Sequence, residues 1–441
     1  MLRVITYQEG PFLPPHNGVL DHTARYLRSL CNAGNEITMI TPARGDVRLD
    51  LFALEPWTTF IVPEKKYYFD RNLHIELLTP LKPNVMLANE PEHILGTLAS
   101  VSIELRVPLV YETFDVTDVV DLRHAVTGEA PNCTRTSFID NAYERNSLIH
   151  DASRFVDAVI CLSQRTAHTL ERMGLPQDLV RVIPTSVPQW ANEYGRRQSH
   201  AATILFFGNL FYLPNELAAR EIVSNILPRV RESLPDVRLV VAGDGPHDLL
   251  AVLSREGATC TGAVDDLSDV IKDASLLVAP LRAGNDVKSK LLTALACGLP
   301  CLTTEVGARG HESTEGIVIE PELDLFYQRI VDLLESPDRL ERLSREGYDS
   351  VSRKYSREQQ LRNITTTFES VCTDSSQQDW GRRRDQHTAF LQRPDALERW
   401  YGASGRPTWL VGEYQRGRFS STKKSIALLK VSGGKVTAIG K

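Results

Sequence analysis

The sequence predicts an α/β protein made of two consecutive parallel-sheet units. Three observations carry this reading. Short apolar runs alternate with amphipathic segments up to about Val187, a polar stretch breaks the alternation once, and a second series of the same kind follows to about Cys372. Strands alternating with helices argue for βαβ units with right-handed crossovers.

LRVITY reads as the first strand. The loop QEGPFLPPHNG follows, and then Leu20, Ala24, Leu27 and Cys31 recur at helical spacing, with Gly34 placed to end the helix. EITMITP, TFIVP, NVMLAN, PLVYETF, DAVICLS and VRVIP supply further strands. Ile94, Leu98, Val101 and Leu105 mark one face of a helix, and Ser163 can cap another that runs to Gly174. SVPQWANEYGRRQSH, from Ser186 to His200, is polar and aperiodic and reads as an interdomain linker. The second series has strands ATILFFG, VRLVVAG, ATCTG, SLLVAP, PCLTT and GIVIE. Its helices are expected near 215–233, 246–256, 266–273, 287–297 and 323–336. At the C-terminus WLVGEYQ, SIALLKV and KVTAIGK read as three short antiparallel strands, with Ser432-Gly433-Gly434 as a tight turn.

The chain has 441 residues, 42% hydrophobic and 24% charged. These values exclude global disorder, a collagen-like repeat and a disulfide-stapled mini-protein. No run approaches the ~20 apolar residues of a spanning helix, and MLRVITYQEGPF lacks the apolar core of a signal peptide. Seven scattered cysteines without a CxxC read as reduced thiols of a cytoplasmic protein, and Cys297 with Cys301 lacks the neighbours a metal site needs. The net charge of −6 is unevenly spread. Residues 379–441 hold 13 basic and 5 acidic residues, a net of +8, together with Trp380, Trp400 and Trp409; the rest of the chain carries −14. Such a basic, aromatic extension suits an anionic or membrane surface, a docking contact with the acidic body, or single-stranded nucleic acid, the last being the least favoured.

The most informative run is LLVAPLRAGNDVKSKLLTALACGLPCLTT. A buried strand ends at Pro280, a loop passes through Gly284, Asn285 and Asp286, and a helix follows with Val287, Leu291, Ala294 and Leu295 facing inward. Lys288 and Lys290 fall in its first turn, against the helix dipole. A docked anion resolves that conflict, since free N–H groups, dipole and two ammonium groups together suit a diphosphate; two solvated lysines are the plain alternative. Asn17 and Gly18 lie between the first strand and helix, where a glycine lets a ligand approach the backbone, though an ordinary loop reads the same. Gly243 and Gly245 give only G-x-G, which does not support a dinucleotide fingerprint. Asp265-Asp266 are read as helix caps. Glu112 and Asp115, just past a strand end, are candidates to orient a sugar hydroxyl or to stabilise positive charge, beside a capping role. No His forms a metal-spaced pair.

Together these pieces resemble the retaining glycosyltransferases of family 4, which adopt the GT-B fold. The resemblance covers roughly residues 1–372 and is strongest from Thr203 to Ser356, through FFGNLFYLPN, VRLVVAGDGP, TGAVDD, the lysine run and EVGARG. It implies two Rossmann-like domains facing a cleft: an acceptor domain over 1–190, a donor domain over 191–356, a terminal helix over 357–378 packing back on the first domain, and the extension over 379–441. It also implies that Lys288 and Lys290 contact the donor diphosphate and that Gly18 approaches the same phosphates. Gly208 and Asn209 would sit at the first donor-domain loop, and the stretch around Val264 would recognise the nucleobase. Glu112 aligns where many members carry a histidine near the reacting sugar. Many members also carry two glutamates where this chain has Asn285 and Thr293, with Asp286 one residue off the first.

The implied function is metal-independent transfer of a sugar, with retention of configuration, from a nucleotide-diphosphate sugar to an unidentified acceptor. No tightly bound cofactor or metal is expected, and the place of work is cytoplasmic or membrane-peripheral. The candidate catalytic residues are Glu112 and Asp115. The candidate donor residues are Asn17, Gly18, Gly208, Asn209, Gly243, Val264, Asn285, Asp286, Lys288, Lys290, Leu291 and Thr293. A catalytically silent nucleotide-sugar binder or scaffold is the alternative that the missing glutamates favour, and a nucleic-acid-modifying sugar transferase is a third.

Overall fold

The computed structural model describes residues 1–8, 18–43, 49–114, 116, 145–188, 190–191, 202–264, 266–284, 287–392, 428–433 and 435–438. The first sheet contains β1 (Arg3–Tyr7), β2 (Glu36–Ala43), β3 (Thr58–Pro63), β4 (Val85–Ala88), β5 (Leu109–Glu112), β6 (Ala158–Cys161) and β7 (Val180–Val182). The second contains β8 (Thr203–Phe207), β9 (Arg238–Ala242), β10 (Thr259–Gly262), β11 (Leu276–Ala279), β12 (Cys301–Thr303) and β13 (Ile317–Ile319). Within each of these sets every paired strand is parallel, and β4, β5, β6, β8 and β11 are buried along their whole length. Helices cover both faces of such a sheet, which is why its strands read as continuous apolar runs.

Six helices position the site and join the domains: α1 (Gly18–Asn32), α2 (Gln164–Arg172), α3 (Leu213–Glu221), α4 (Ser289–Ala296), α5 (Arg357–Asp374) and α6 (Trp380–Leu391). Ser163 caps α2 as its sequence position predicts, its side chain accepting from the Thr166 N–H. Two short helices that the sequence pattern did not reveal, Glu64–Phe69 and Arg71–Leu78, meet at Asp70, whose carboxylate accepts from Leu73 N–H and starts the second. Charged and aromatic residues crowd that stretch, and with Tyr67 and Tyr68 both buried it shows no clean helical period.

The strand orders locate the ligand crevices. In the first sheet β1 lies between β2 and β4; in the second β8 lies between β9 and β11. Chain direction away from the centre reverses at each of these points, and in open α/β sheets ligands bind outside the carboxyl ends of the strands there. Two parallel-sheet domains thus follow one another along the chain.

The chain crosses between the two sheets' domains at two neighbouring places. Val187 N–H donates to Tyr355 O at 3.0 Å, and Ser186 Oγ donates to Gln360 Oε1 of α5 at 2.7 Å. From there α5 runs along the first domain and buries Ile364, Phe368 and Val371 in its core.

The basic extension is partly woven into the same domain. In α6, Arg383 Nη1 pairs with Asp157 Oδ1 at 2.9 Å, and Phe390 packs on Phe155 with ring centroids 5.3 Å apart. Further on, β14 (Leu429–Ser432) and β15 (Lys435–Ala438) form an antiparallel hairpin turning at Gly433. The expected strand runs SIALLKV and KVTAIGK supply this pair, and WLVGEYQ lies outside the described residues. The hairpin does not stand apart: β14 pairs antiparallel with β3, making nine strands, and Val431 is buried with Phe52, Trp57 and Ile61.

Candidate functional site

At the carboxyl end of β8 the backbone turns on Gly208, whose φ is +152°. A Cβ there would lie 2.9 Å from both Asn215 Nδ2 and Lys290 Nζ, so only glycine leaves room for those two groups. The neighbouring β9 ends in the same way. Gly243 has φ +139°, and a Cβ on it would fall 2.0 Å from Gly208 O. The two glycine turns are thus stacked back to back, which the G-x-G pattern alone does not disclose.

Lys290 reaches into this space from the first turn of α4. Its ammonium donates to Asn215 Oδ1 at 2.6 Å and sits 4.4 Å from the centroid of the Phe206 ring. Burial, and then the charge of Lys288, push its pKa down to about 7. Lys288 is the N-cap of α4 and supplies no side-chain cap, and no acid lies in the first turn. The start of this helix therefore holds two cations where the dipole already places positive charge, an arrangement that costs free energy until an anion arrives. A perturbed titratable side chain at a strand end makes this a candidate functional site.

His311, between the short helix Glu305–Ala308 and β13, props this helix start. Its Nε2 accepts from the Lys288 backbone N–H at 3.3 Å. Burial and the Lys288 charge lower its pKa to about 3, so it stays neutral near pH 7. Sequence reading missed His311, and it passed over Asn215 although the run FYLPN contains it. Asn215 also donates from Nδ2 to Asn209 O at 2.8 Å, while Asn209 Oδ1 accepts from Phe211 N–H at 2.9 Å. The only signal in the sequence was an amide residue in a helix's first turn directly after a proline.

The other donor candidates are distributed as follows. Thr293 is 7% exposed, within α4, and Leu291 is wholly buried in the core of the second domain, its N–H given to Lys288 O. Val264 is half-buried just beyond β10, two strands away from β8. Gly18 opens α1. Asn17, Asp115, Asn285 and Asp286 lie outside the described residues. Gly208, Asn209, Gly243, Lys288 and Lys290 are the ones brought together around the ends of β8, β9 and the start of α4.

Glu112 has a different setting from the one expected of a residue open to a cleft. It is fully buried at the end of β5. Oε2 accepts from Thr23 Oγ1 at 2.8 Å and from Tyr26 OH at 2.7 Å, and Oε1 stands 3.1 Å from His22 Nε2. All three partners belong to α1. Burial, with the Glu112 charge adding to it, keeps the Tyr26 hydroxyl protonated. His22 Nδ1 lies 3.3 Å from Gln360 Nε2 of α5, so the carboxylate, α1 and the domain crossing form one buried network. Among the described residues no three His, Cys, Asp or Glu side chains come together in a way that could hold a metal ion, and no helix is long and apolar enough to cross a membrane.

Comparison with known proteins finds the sequence profile described as "Glycosyltransferase Family 4" over residues 16–189 and that of "Glycosyl transferases group 1" over residues 201–336. Among curated proteins the chain is similar to a subunit of the phosphatidylinositol N-acetylglucosaminyltransferase of Arabidopsis thaliana, 25% identical over 75% of this chain and 73% of that protein. It is also 25% identical to the GPI3 subunit of the corresponding Saccharomyces cerevisiae enzyme (strain S288c), over 53% of this chain and 55% of that one. An uncharacterized 44.6 kDa protein of the Klebsiella pneumoniae cps region matches at 22% identity over 39% of this chain and 48% of its own length. The chain thus spans nearly three quarters of the plant relative but only about half of the other two. Among solved structures, Anabaena HepE in complex with UDP-glucose superposes with a TM-score of 0.63 at 14% identity, covering 84% of this chain and all of that one. A Rickettsia africae glycosyltransferase gives 0.62 at 13% identity, over 84% and 98%. Sucrose-phosphate synthase of Thermosynechococcus elongatus gives 0.60 at 14%, over 85% and 100%.

Proposed function

Since a chain that joins a family-4 domain to a group-1 domain on the GT-B fold is a glycosyltransferase, we propose that it transfers a sugar from a nucleoside diphosphate sugar, of the UDP type, to an acceptor hydroxyl with retention and without a metal ion. The observation that carries this is the pair of basic residues at the start of α4, where Lys288 occupies the N-cap position and Lys290 is held by Asn215 at 2.6 Å. UDP and UDP-glucose are bound in structural neighbours, which supports the choice of nucleotide.

In the proposed reaction the bond from the anomeric carbon to the diphosphate oxygen breaks, and its electron pair leaves on the diphosphate. The acceptor oxygen bonds that carbon from the same face, and its proton passes to the departing diphosphate. Lys288, Lys290 and the first-turn amides of α4 meet charge that develops in the transition state, and such preorganised groups need no rearrangement at the moment of reaction. Gly18, at the start of α1, faces the same phosphates in this proposal, and the Val264 segment takes the base. Glu112 acts as a positioning residue: by fixing Thr23, Tyr26 and His22 it sets α1, and through Gln360 it links α1 to the domain crossing. Asp115 and Asn17 are assigned to the same reaction on their places in the sequence, and Asn285 and Asp286 on the resemblance.

Asn285 and Thr293, which stand where the family resemblance implies two glutamates, favour a second reading as a nucleotide-sugar binder that does not turn over. A thermal-shift panel of UDP, GDP, ADP, CDP and dTDP, with and without Mg²⁺, tests the donor site. A ligand at 100 times its Kd adds about 2.7 kcal/mol of stability, so UDP is expected to raise the Tm clearly and equally in both conditions. If no nucleotide raises it at millimolar concentration, the donor site is refuted. A bound UDP-sugar that stays intact by mass spectrometry with every acceptor offered supports the silent binder instead.

A further inference from the structure

The crevice at the carboxyl end of the first sheet holds a row of neutral polar side chains that the proposed reaction does not use. Tyr7, Ala88 and Tyr111 are neighbours across β1, β4 and β5. The next residue on each strand, Gln8, Asn89 and Glu112, forms the following rung, at the point where chain direction reverses about β1. Side chains alternate across a strand, so Val4, Thr6 and Gln8 share one face. Val4 is packed in the core with Ala24 and Leu27 of α1. The row thus lies on the α1 side, and Glu112 at its end touches His22 and Thr23 in the first turns of that helix.

Three side chains of this row are linked head to tail. Gln8 Nε2 donates to Thr6 Oγ1 at 3.0 Å, and Asn89 Nδ2 donates to Gln8 Oε1 at 2.6 Å. The series of bonds then stops. Asn89 is only 8% exposed, yet its buried Oδ1 accepts no hydrogen bond among the described residues. An amide oxygen left unpaired in the interior costs free energy, and few such groups occur in folded proteins. The surroundings are fixed. Gln8 N–H donates to Ile40 O at 3.1 Å, Ile94 N–H donates to Glu90 O at 3.1 Å, and Arg145 pairs with both Glu90 and Glu92 just beyond Asn89. Asn89 Oδ1 is therefore held in place with its lone pairs unused.

We infer that Asn89, aligned by Gln8, forms an acceptor subsite that binds a hydroxyl of an uncharged polyol. This inference rests on the glycosyl-transfer reading above and on the acceptor domain that the resemblance assigns to residues 1–190. Chemistry selects the ligand. A hydroxyl both donates and accepts, so it completes the row whichever end of each amide faces it. A phosphate would set its charge against the Asn89 lone pairs and the Glu112 carboxylate on the next strand, where burial is costly. An ammonium would find on this rung one carboxylate, already engaged by Thr23, Tyr26 and His22. The position agrees. Gly18 opens the helix that Glu112 touches, and in the reading above Gly18 faces the donor phosphates. A polyol on this rung lies at the same end of the sheet as that donor.

The test uses the full chain with ¹⁵N-labelled asparagine side chains, saturated with UDP and followed by NMR. The NH₂ signal of Asn89 is the one lost in Asn89→Asp. Methyl α-glucopyranoside, methyl α-mannopyranoside and myo-inositol are titrated in, with glucose-6-phosphate as the anionic counterpart. At least one polyol is expected to shift that signal, and the phosphate is not. Asn89→Ala should weaken binding of that polyol about tenfold, the loss of one hydrogen bond, while the UDP-induced Tm shift stays unchanged. Asn89→Ser, which keeps a polar side chain, gives the same two readings if the other variants do not fold. A signal unmoved by every polyol, a larger shift with the phosphate, or variant binding as tight as wild-type each overturns the subsite. A wild-type chain that no nucleotide stabilises refutes the donor site and the acceptor role together, whereas clear UDP stabilisation with an unmoved Asn89 signal refutes the subsite alone.

Discussion

The ammonium of Lys290 and the side-chain amide of Asn215 meet at 2.6 Å, and the same amide donates from its other end to Asn209 O. One residue of α3 thus fixes a cation of α4 and the loop leaving β8. The start of α4 and the turn leaving β8 are assembled as one unit, although Asn215 and Lys290 lie 75 positions apart.

Replacing that amide tests whether Lys290 serves phosphate. Asn215→Asp places a carboxylate against the ammonium and beside any bound diphosphate. A hydrogen bond to a charged group is worth about 1.5–3 kcal/mol, so UDP binding is expected to weaken at least tenfold by titration calorimetry while uridine binding changes little. Equal losses for UDP and uridine would show that the site does not read phosphate.

The low pKa of Lys290 gives a pH signature. Its folded value, about 7, lies below the ordinary lysine value of 10.5. Between those values the unfolded chain binds more protons, so the contribution of this group to stability grows as pH rises from about 7 towards 10.5 and is lost as pH falls through about 7. A bound diphosphate favours the charged ammonium and reverses this balance. UDP binding at pH 8 is therefore expected to take up close to one proton, measured by calorimetry in two buffers of different ionisation enthalpy, and uptake should vanish in Lys290→Met. His311, lowered to about 3, adds no uptake at that pH.

Gly243 bears on the fold of the site through its packing on Gly208. Its φ of +139° and the 2.0 Å approach to Gly208 O leave no space for a methyl group. Gly243→Ala is expected to destabilise the second domain by about 1–3 kcal/mol and to weaken UDP binding by displacing Gly208. Denaturant unfolding checks the first effect; a wild-type midpoint would mean that the two turns do not abut.

The C-terminal hairpin is predicted to be part of the first domain's stability. Val431 is 1% exposed against Phe52, Trp57 and Ile61. Removing two buried carbon groups loses about 0.8 kcal/mol each plus a cavity term, so Val431→Ala should lower stability by roughly 1.5–3 kcal/mol. The exposed Val436→Ala is the control and should leave the unfolding midpoint in place. Identical midpoints for the two variants would show that β14 is a loosely attached tail.

Local pattern determined much of this protein. Period-2 and unbroken apolar runs located thirteen parallel strands in two series, Ser163 marked its helix, and Lys288 with Lys290 marked a helix start in conflict with its own dipole. Those features depend on neighbours within a turn or a strand, so they are legible in one dimension. The tertiary structure decided the rest, because it depends on which distant groups share a small volume. Glu112 lies at a strand end in either view, yet only packing shows that α1 consumes its carboxylate. Asn215 and His311 gain their places from contacts 75 and 23 residues away. The net charge divides into a −14 body and a +8 extension on paper. In the folded chain Arg383 is spent on Asp157, and β14 completes a sheet begun at residue 3, since a polar backbone edge and an apolar Val431 are both satisfied only where β3 offers them a partner.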